Sequence, residues 1–161
     1  MYERTDNMPI FVVQKHAARA VHYDFRLEVG GVLKSWVIPK GPSMDSHDKR
    51  LAIPTDDHAL AYADFEGVIP EGEHGAGKVL IWDRGTFENL SHDGERAVSL
   101  EDAYEKGHIS FELKGQKLHG KFTLVKTHYD HDHNWLLLKH HEEITEEMPL
   151  SVLSGKRIEE L

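Results

Sequence analysis

A compact, mainly β fold, a β-barrel carrying one to three short helices, is the architecture this sequence predicts. Three observations predict it. Apolar and polar residues alternate with period two along most of the chain. Short runs of β-branched and aromatic residues are punctuated by Gly-rich turns. Helix signals are weak throughout, and a paired start and stop occurs once. The 161 residues, 39% of them hydrophobic, fit a single domain over 1–161 with enough apolar surface for a core. Residues 1–9 form a short N-terminal arm and 142–161 an acidic C-terminal tail.

The elements follow in order. PIFVVQKH (9–16) is rich in β-branched residues and reads as a strand. VHYDFRLEV (21–29) alternates strictly, Gly30-Gly31 makes a two-residue hairpin turn, and VLKSWVIP (32–39) returns. Further strands are expected over 50–55, 77–83, 85–89, 108–113, 120–127 and 134–141. Asp83-Arg84-Gly85 and Lys114-Gly115-Gln116 read as turns between them. Ser99 before LEDAYEKG starts a helix that Gly107 stops. Short helices are also expected near 57–63 and after Ser151. The Gly/Pro segment 66–77 reads as a rim loop.

Composition excludes several chemistries. With no Cys, disulfides, thiolate metal sites, Fe–S clusters and cysteine nucleophiles are ruled out. No apolar run approaches about 20 residues, so no membrane span is expected. The N-terminus lacks the pattern of a signal peptide, and the default expectation is a cytoplasmic protein. A net charge of −9 argues against nucleic acid as a partner if the charge is uniform. It is not uniform. Residues 1–50 hold 8 basic and 6 acidic side chains, whereas 51–100 hold 3 and 10 and 101–161 hold 8 and 12. The first third is where an anion would dock.

The strand from Val21 concentrates chemistry on one face. His22, Asp24, Arg26 and Glu28 point to one side, and Tyr23, Phe25 and Leu27 to the other. A solvated face would more often hold Lys, Thr and Glu than a His-x-Asp-x-Arg series. His22 and Asp24 lie roughly 6.5–7 Å apart along the strand, close enough to converge on one ion. Imidazole with carboxylate suits Mn, Fe or Zn. His16 ends the preceding strand, and the short AARAV connection returns the chain beside it, so His16 is the third candidate ligand. Arg26 would hold a phosphate or carboxylate through its planar fork. Lys49-Arg50 offers a second cation. Asp56, His58 and Tyr62 read as loop residues unless their segment lines the same cavity. The His-rich stretch 128–133 reads as a solvated hairpin tip, and His74 as a weaker candidate of the same kind.

FVVQKHAARAVHYDFRLEVGGVLKSWVIPKGPSMD, with KRLAIPTDDHALAYADFEGVIPEGEHGAGKVLIWDRGTFE after it, closely resembles the 3′-phosphoesterase domain of bacterial ATP-dependent DNA ligase D. The likeness is dense over about residues 10–88 and looser through GKFTLVKT, NWLLLKHH and PLSVLSGKRIEEL. It implies a compact β-barrel that trims 3′ ends during break repair with Mn2+, although Co2+ or Zn2+ would suit the same ligands. The implied activities are removal of a 3′-terminal ribonucleoside by diester cleavage and removal of a 3′-phosphate as a monoester. It further implies that His16, His22 and Asp24 ligate the metal, that Arg26, His58 and Tyr62 contact the scissile phosphate, and that Arg50 lies in the same active site. DNA or RNA–DNA 3′ ends are the implied substrates. A ligase, a polymerase and a Ku-like protein acting in trans are the implied collaborators. Two departures bear on the ribonucleoside-removing step. Asp56 stands where the family often has Glu, and only Glu3, Arg4 and Asp6 are available in the short arm.

Two other readings fit the residues. A non-haem Fe(II) oxygenase would use His22, Asp24 and a distant His such as His119, and would tolerate loss of His16. A non-catalytic module would bind 3′ ends without releasing phosphate.

Overall fold

The computed structural model describes residues 8–127 and 133–141. The expectations for the arm residues Glu3, Arg4 and Asp6, for most of the 128–133 stretch, and for the tail with its helix after Ser151 lie outside them.

Eight antiparallel strands close into a barrel, as the alternation predicts. They are β1 (Ile10–Ala17), β2 (Val21–Val29), β3 (Val32–Ile38), β4 (Lys49–Ala59), β6 (Gly77–Asn89), β9 (His108–Gly115), β10 (His119–Lys126) and β11 (Trp135–Lys139). Between them lie the short strands β5 (Gly67–Ile69), β7 (His92–Asp93) and β8 (Arg96–Ala97), with one helix, α1 (Leu100–Lys106). Around the barrel the order is β1-β2-β3-β4-β11-β10-β9-β6, and β6 pairs back with β1, which leaves no open edge there. β5 adds to the outside of β6.

The inward rows make the core. Phe11 and Val13 of β1, Phe25 and Leu27 of β2, Trp36 of β3, Phe87, Phe111, Phe122 and Trp135 form one buried cluster. Each of these large side chains contributes about 1.5–3 kcal/mol through the apolar area it removes from water. The predicted helix forms with its predicted caps. Ser99 Oγ accepts the Asp102 N–H at 3.1 Å, and Gly107 ends the helix at φ 75°. α1 closes one end of the barrel, where Tyr104 packs on Trp36 and Trp135.

Two sequence expectations change, near 57–63 and at 83–85. The helix expected near 57–63 is a 3-10 helix over Leu60–Asp64, because β4 continues to Ala59. β11 pairs with β4 over Lys49–Ala52, so among the described residues one side of β4 is without a partner strand by Pro54, a place where proline is tolerated. Finally, Asp83-Arg84-Gly85 is not a turn, and β6 runs straight through it. Gly85 is needed for close approach instead, since a Cβ there would lie 2.2 Å from the Lys114 carbonyl oxygen.

Asp83 is buried and accepts the backbone N–H groups of Gln116, Lys117 and Leu118 at 3.0, 3.1 and 2.8 Å. It ties the β9–β10 turn to β6. Asp83→Ala orphans all three donors and is expected to cost about 3 kcal/mol in urea unfolding. A loss under about 0.5 kcal/mol, the ordinary figure for a solvated turn, would contradict this role.

Candidate active site

The face of β2 that carries His22, Asp24 and Arg26 is the outer face of the barrel wall, opposite the core. In the β1–β2 register His16 stands across from His22, Gln14 from Asp24 and Val12 from Arg26. Alternation on two paired strands thus gathers five polar side chains into one patch. Over this patch the chain folds a roof. Ala63 of the 3-10 helix, with Leu60 and Tyr62, packs on Ile10, Val12 and Leu33 in a second, smaller apolar cluster. The 74–76 loop closes the other side. The result is a cavity of about 360 Å³ lined by His16, His22, Asp24, Arg26, His58 and Tyr62, among others.

His58 reaches the cavity through a bulge. Across β3–β4, Leu33 faces His58 but Ser35 faces Thr55, so β4 carries one extra residue there. Residues 55 and 58 would point to opposite faces of a regular strand. With the bulge both line the same cavity. Lys34 Nζ holds the bulged segment by a 2.8 Å ion pair with Asp57.

Asp24 lies between three partners. Its Oδ1 is 3.4 Å from His22 Nε2, and its Oδ2 is 3.7 Å from His16 Nδ1 and 3.3 Å from Arg26 Nη2. The two imidazole contacts are too long for good hydrogen bonds. They fit a shared cation, because atoms bound to one ion at about 2.1 Å sit roughly 3–3.5 Å apart. One ligand atom from each of His16, His22 and Asp24 lies within 4.8 Å of the others. His16 Nε2 meets the Ala76 carbonyl oxygen at 3.2 Å. A carbonyl only accepts, so Nε2 carries the proton and Nδ1 keeps its lone pair for a cation. A donor set of two imidazole nitrogens and one carboxylate oxygen fits a divalent transition metal.

Arg26 is 3% exposed and is held on every side. Its Nε donates to Gln14 Oε1 at 2.7 Å, Nη2 to Asp24, and Nη1 lies 3.2 Å from His58 Nδ1. The guanidinium sits 4.9 Å from the Tyr62 ring centroid. Burial lowers its pKa and Asp24 opposes the shift, but an arginine stays charged. Gln14 completes the frame. Its amide donates to the carbonyls of Tyr62 and Phe65 at 3.0 and 3.1 Å, linking Arg26 to the roof. Sequence reasoning did not single out Gln14, although its spacing from His16 on a predicted strand places the two on one face.

Burial first, and then the Arg26 charge, depress the His58 pKa below its ordinary 6.5. His58 is therefore neutral at pH 7. Nδ1 either accepts from Arg26 or donates to the Asp56 carbonyl at 3.1 Å, and the first choice leaves Nε2–H as a donor. Burial raises the Tyr62 pKa, so its hydroxyl stays protonated. An NMR titration of His58 in metal-free protein should have its midpoint below 6.5. A midpoint above 7 would mean an imidazolium and overturn this assignment. The linkage has a definite sign. The unfolded chain binds this proton more readily, so the His58 contribution to stability is present above about pH 6.5 and falls as pH drops below it.

Two of the expected site residues stand apart. Asp56 is exposed in the bulge, 3.8 Å from His74 across the cavity rim. Arg50 lies on the inward side of β4 at the barrel end opposite α1, where it pairs with Asp48 at 3.4 Å and does not line the cavity. His74, a weak candidate in the sequence, does line it. His119 begins β10, four strands round the barrel from β2, and cannot complete a triad with His22 and Asp24.

The profile of the DNA ligase D 3′-phosphoesterase domain matches residues 14–126, which include every residue placed in this cavity. The chain is 44% identical over 158 residues to the multifunctional non-homologous end joining protein LigD of Pseudomonas aeruginosa, an alignment spanning 92% of this chain and 18% of that protein. It is 46% identical over 126 residues to the corresponding DNA repair protein of Mycobacterium tuberculosis, covering 78% of this chain and 15% of that one. The Mycolicibacterium smegmatis protein is 40% identical over 134 residues, 83% of this chain and 17% of its own length. The chain thus spans less than a fifth of each of these relatives. No helix among the described residues is long and apolar enough to cross a membrane.

Proposed function

This chain belongs to the DNA ligase D 3′-phosphoesterase domain family, and on that premise we propose that it is a metal-dependent phosphoesterase that heals DNA or RNA–DNA 3′ ends. It removes a 3′-phosphate, and a 3′-terminal ribonucleoside by diester cleavage, to leave a 3′-OH for repair synthesis and ligation. Residues 1–161 act as one phosphoesterase domain. The observation that carries the reading is the convergence of His16, His22 and Asp24 with Arg26, His58 and Tyr62 on one cavity.

His16, His22 and Asp24 would hold the metal, for which Mn2+ is the proposed identity and Co2+ or Zn2+ alternatives. When bound, such an ion supplies Lewis-acid charge at a phosphoryl oxygen and lowers the pKa of a bound water. Arg26 binds non-bridging oxygens through its fork and meets the charge that grows on them in the transition state. Neutral His58 and protonated Tyr62 present N–H and O–H donors to the same phosphate. The nucleophile is water, since the chain has no Cys and no Ser in a nucleophile-elbow motif. Gln14 acts through Arg26 as a positioning residue.

The test is phosphate release from a 3′-phosphorylated primer, with and without Mn2+. Release that needs the metal is expected. Binding of the end with no release would favour a non-catalytic module. Turnover of 2-oxoglutarate in place of phosphate release would favour the oxygenase.

A further inference from the structure

The inward rows that build the core run on toward the barrel end opposite α1, and there they stop being apolar. On β1 the row Phe11, Val13 ends in Lys15, and on β2 the row Leu27, Phe25 ends in Tyr23, its partner in the register. On β4 the row ends in Arg50 and on β11 in Lys139. The β9–β10 turn adds Lys117. Aromatic rings prop these cations up. Lys15 Nζ lies 5.8 Å from the Tyr23 centroid, Tyr23 packs edge-on against Trp82 at 5.5 Å, and Lys117 Nζ lies 4.5 Å from the Trp82 centroid. Neither ammonium forms an ion pair with a carboxylate among the described residues. Among the described residues the buried Arg50 Nε has no hydrogen-bond partner. The carboxylates at this end already have partners: Asp45, which feels the Arg50 charge, accepts from the His47 backbone N–H and ring. Asp48 is taken by Arg50, and Asp83 is spread over three backbone donors.

A solvated lysine gains only modestly from being ordered over a ring, and Lys15 and Lys117 have no carboxylate partner among the described residues to offset the repulsion between neighbouring cations. Such an arrangement is favourable when a polyanion covers it. Its place in the fold says which one. Lys15 and Tyr23 are the chain neighbours of His16 and His22, on the opposite face of the same two strands, so this end of the barrel and the candidate metal cluster share one rim. The crest between them is the β1–β2 turn, where Arg19 is exposed. We propose that the barrel end opposite α1 is a docking surface for the sugar-phosphate backbone of the same nucleic-acid strand whose 3′ end enters the cavity, with Lys15 and Lys117 as its phosphate contacts. The inference rests on the phosphoesterase reading for the position of that 3′ end. It also accounts for how a chain of net charge −9 holds DNA, by segregating cations at one end.

The experiment is the double variant Lys15→Gln/Lys117→Gln in the full chain. Anisotropy of a fluorescent single-stranded 12-mer with a 3′-OH is measured across a salt series. Binding is expected to weaken about tenfold, and the slope of log K against log salt to become shallower by about 1.4, the loss of two single-strand phosphate contacts. Hydrolysis of a 3′-phosphorylated dinucleotide, whose one internal linkage stays at the cavity, is expected to be unchanged. Unchanged 12-mer binding, or an equal loss on the dinucleotide, overturns the proposal. A wild type that binds the 12-mer through these lysines but releases no phosphate from any 3′-phosphate end overturns the phosphoesterase reading and leaves the surface standing.

Discussion

Asp24→Asn is expected to lower phosphate release on the order of 10³-fold at a fixed Mn2+ concentration, about 4 kcal/mol of transition-state stabilisation. Asparagine keeps the shape of the side chain and removes its charge. That charge has two tasks. It is the single anionic donor in a cluster whose other members are neutral imidazoles, and it is the carboxylate 3.3 Å from buried Arg26. Losing the first weakens metal retention. Losing the second leaves a buried guanidinium without its ion pair, and breaking such a pair costs about 3–5 kcal/mol. The two consequences separate by experiment. Wild type should show a rise in Tm when Mn2+ is added, because an ion that binds only the folded state stabilises it by mass action. Asp24→Asn should start from a lower Tm and show little rise. A variant that keeps both the Mn2+-dependent rise and a tenth of the activity would remove Asp24 from the metal cluster. His22→Ala is the companion measurement. It deletes a ligand that is not paired with Arg26, so it should lose the rise with a smaller drop in the starting Tm.

The parts of this site that were legible in the sequence are those governed by period two. His22, Asp24 and Arg26 share a face because residues two apart on a strand must, and His16 joins them because a short connection fixes the antiparallel register. The same rule predicted the barrel, whose strands are short and separated by glycines. What remained hidden depended on breaks in that rule. The β4 bulge adds one residue, and no local signal in PTDDHA says where the extra residue falls. His58 and Tyr62 were therefore suggested by family resemblance and not by pattern. Asp83 looked like a turn residue because Asp-Arg-Gly has turn composition. Its carboxylate is instead occupied by donors more than thirty residues away, a tertiary contact that overrides local preference. Arg50 illustrates the opposite limit. Resemblance places it with the site, whereas the register directs it to the inward side of the barrel at the end opposite α1.

Arg26→Lys is expected to reduce kcat by about 10²–10³-fold with a smaller change in KM, the range found when one donor to developing charge is lost. Lysine conserves the charge, so the loss would measure geometry. The guanidinium satisfies Gln14, Asp24 and His58 with three different nitrogens while lying against the Tyr62 ring. One ammonium cannot reproduce that arrangement, and it cannot offer two parallel donors to a phosphate. The charge balance of the cavity gives the reason for the size of the effect. With a divalent cation bound, Asp24 offsets one of its charges, and the imidazoles are neutral. Arg26 then completes a net charge of about +2, which matches a 3′-phosphate monoester dianion in a partly dehydrated cavity. A ground-state phosphate already carries that charge, so KM changes less. The transition state moves charge toward the equatorial and leaving oxygens, where a rigid fork counts for more than a mobile ammonium. Gln14→Glu sharpens the test. It keeps an acceptor for Arg26 Nε, loses the two donations to the Tyr62 and Phe65 carbonyls, and adds a negative charge that competes with phosphate for the guanidinium, so KM should rise more than kcat falls. Arg26→Lys with at least half of wild-type kcat would show that charge alone is sufficient, and the buried fork would then have no part in catalysis.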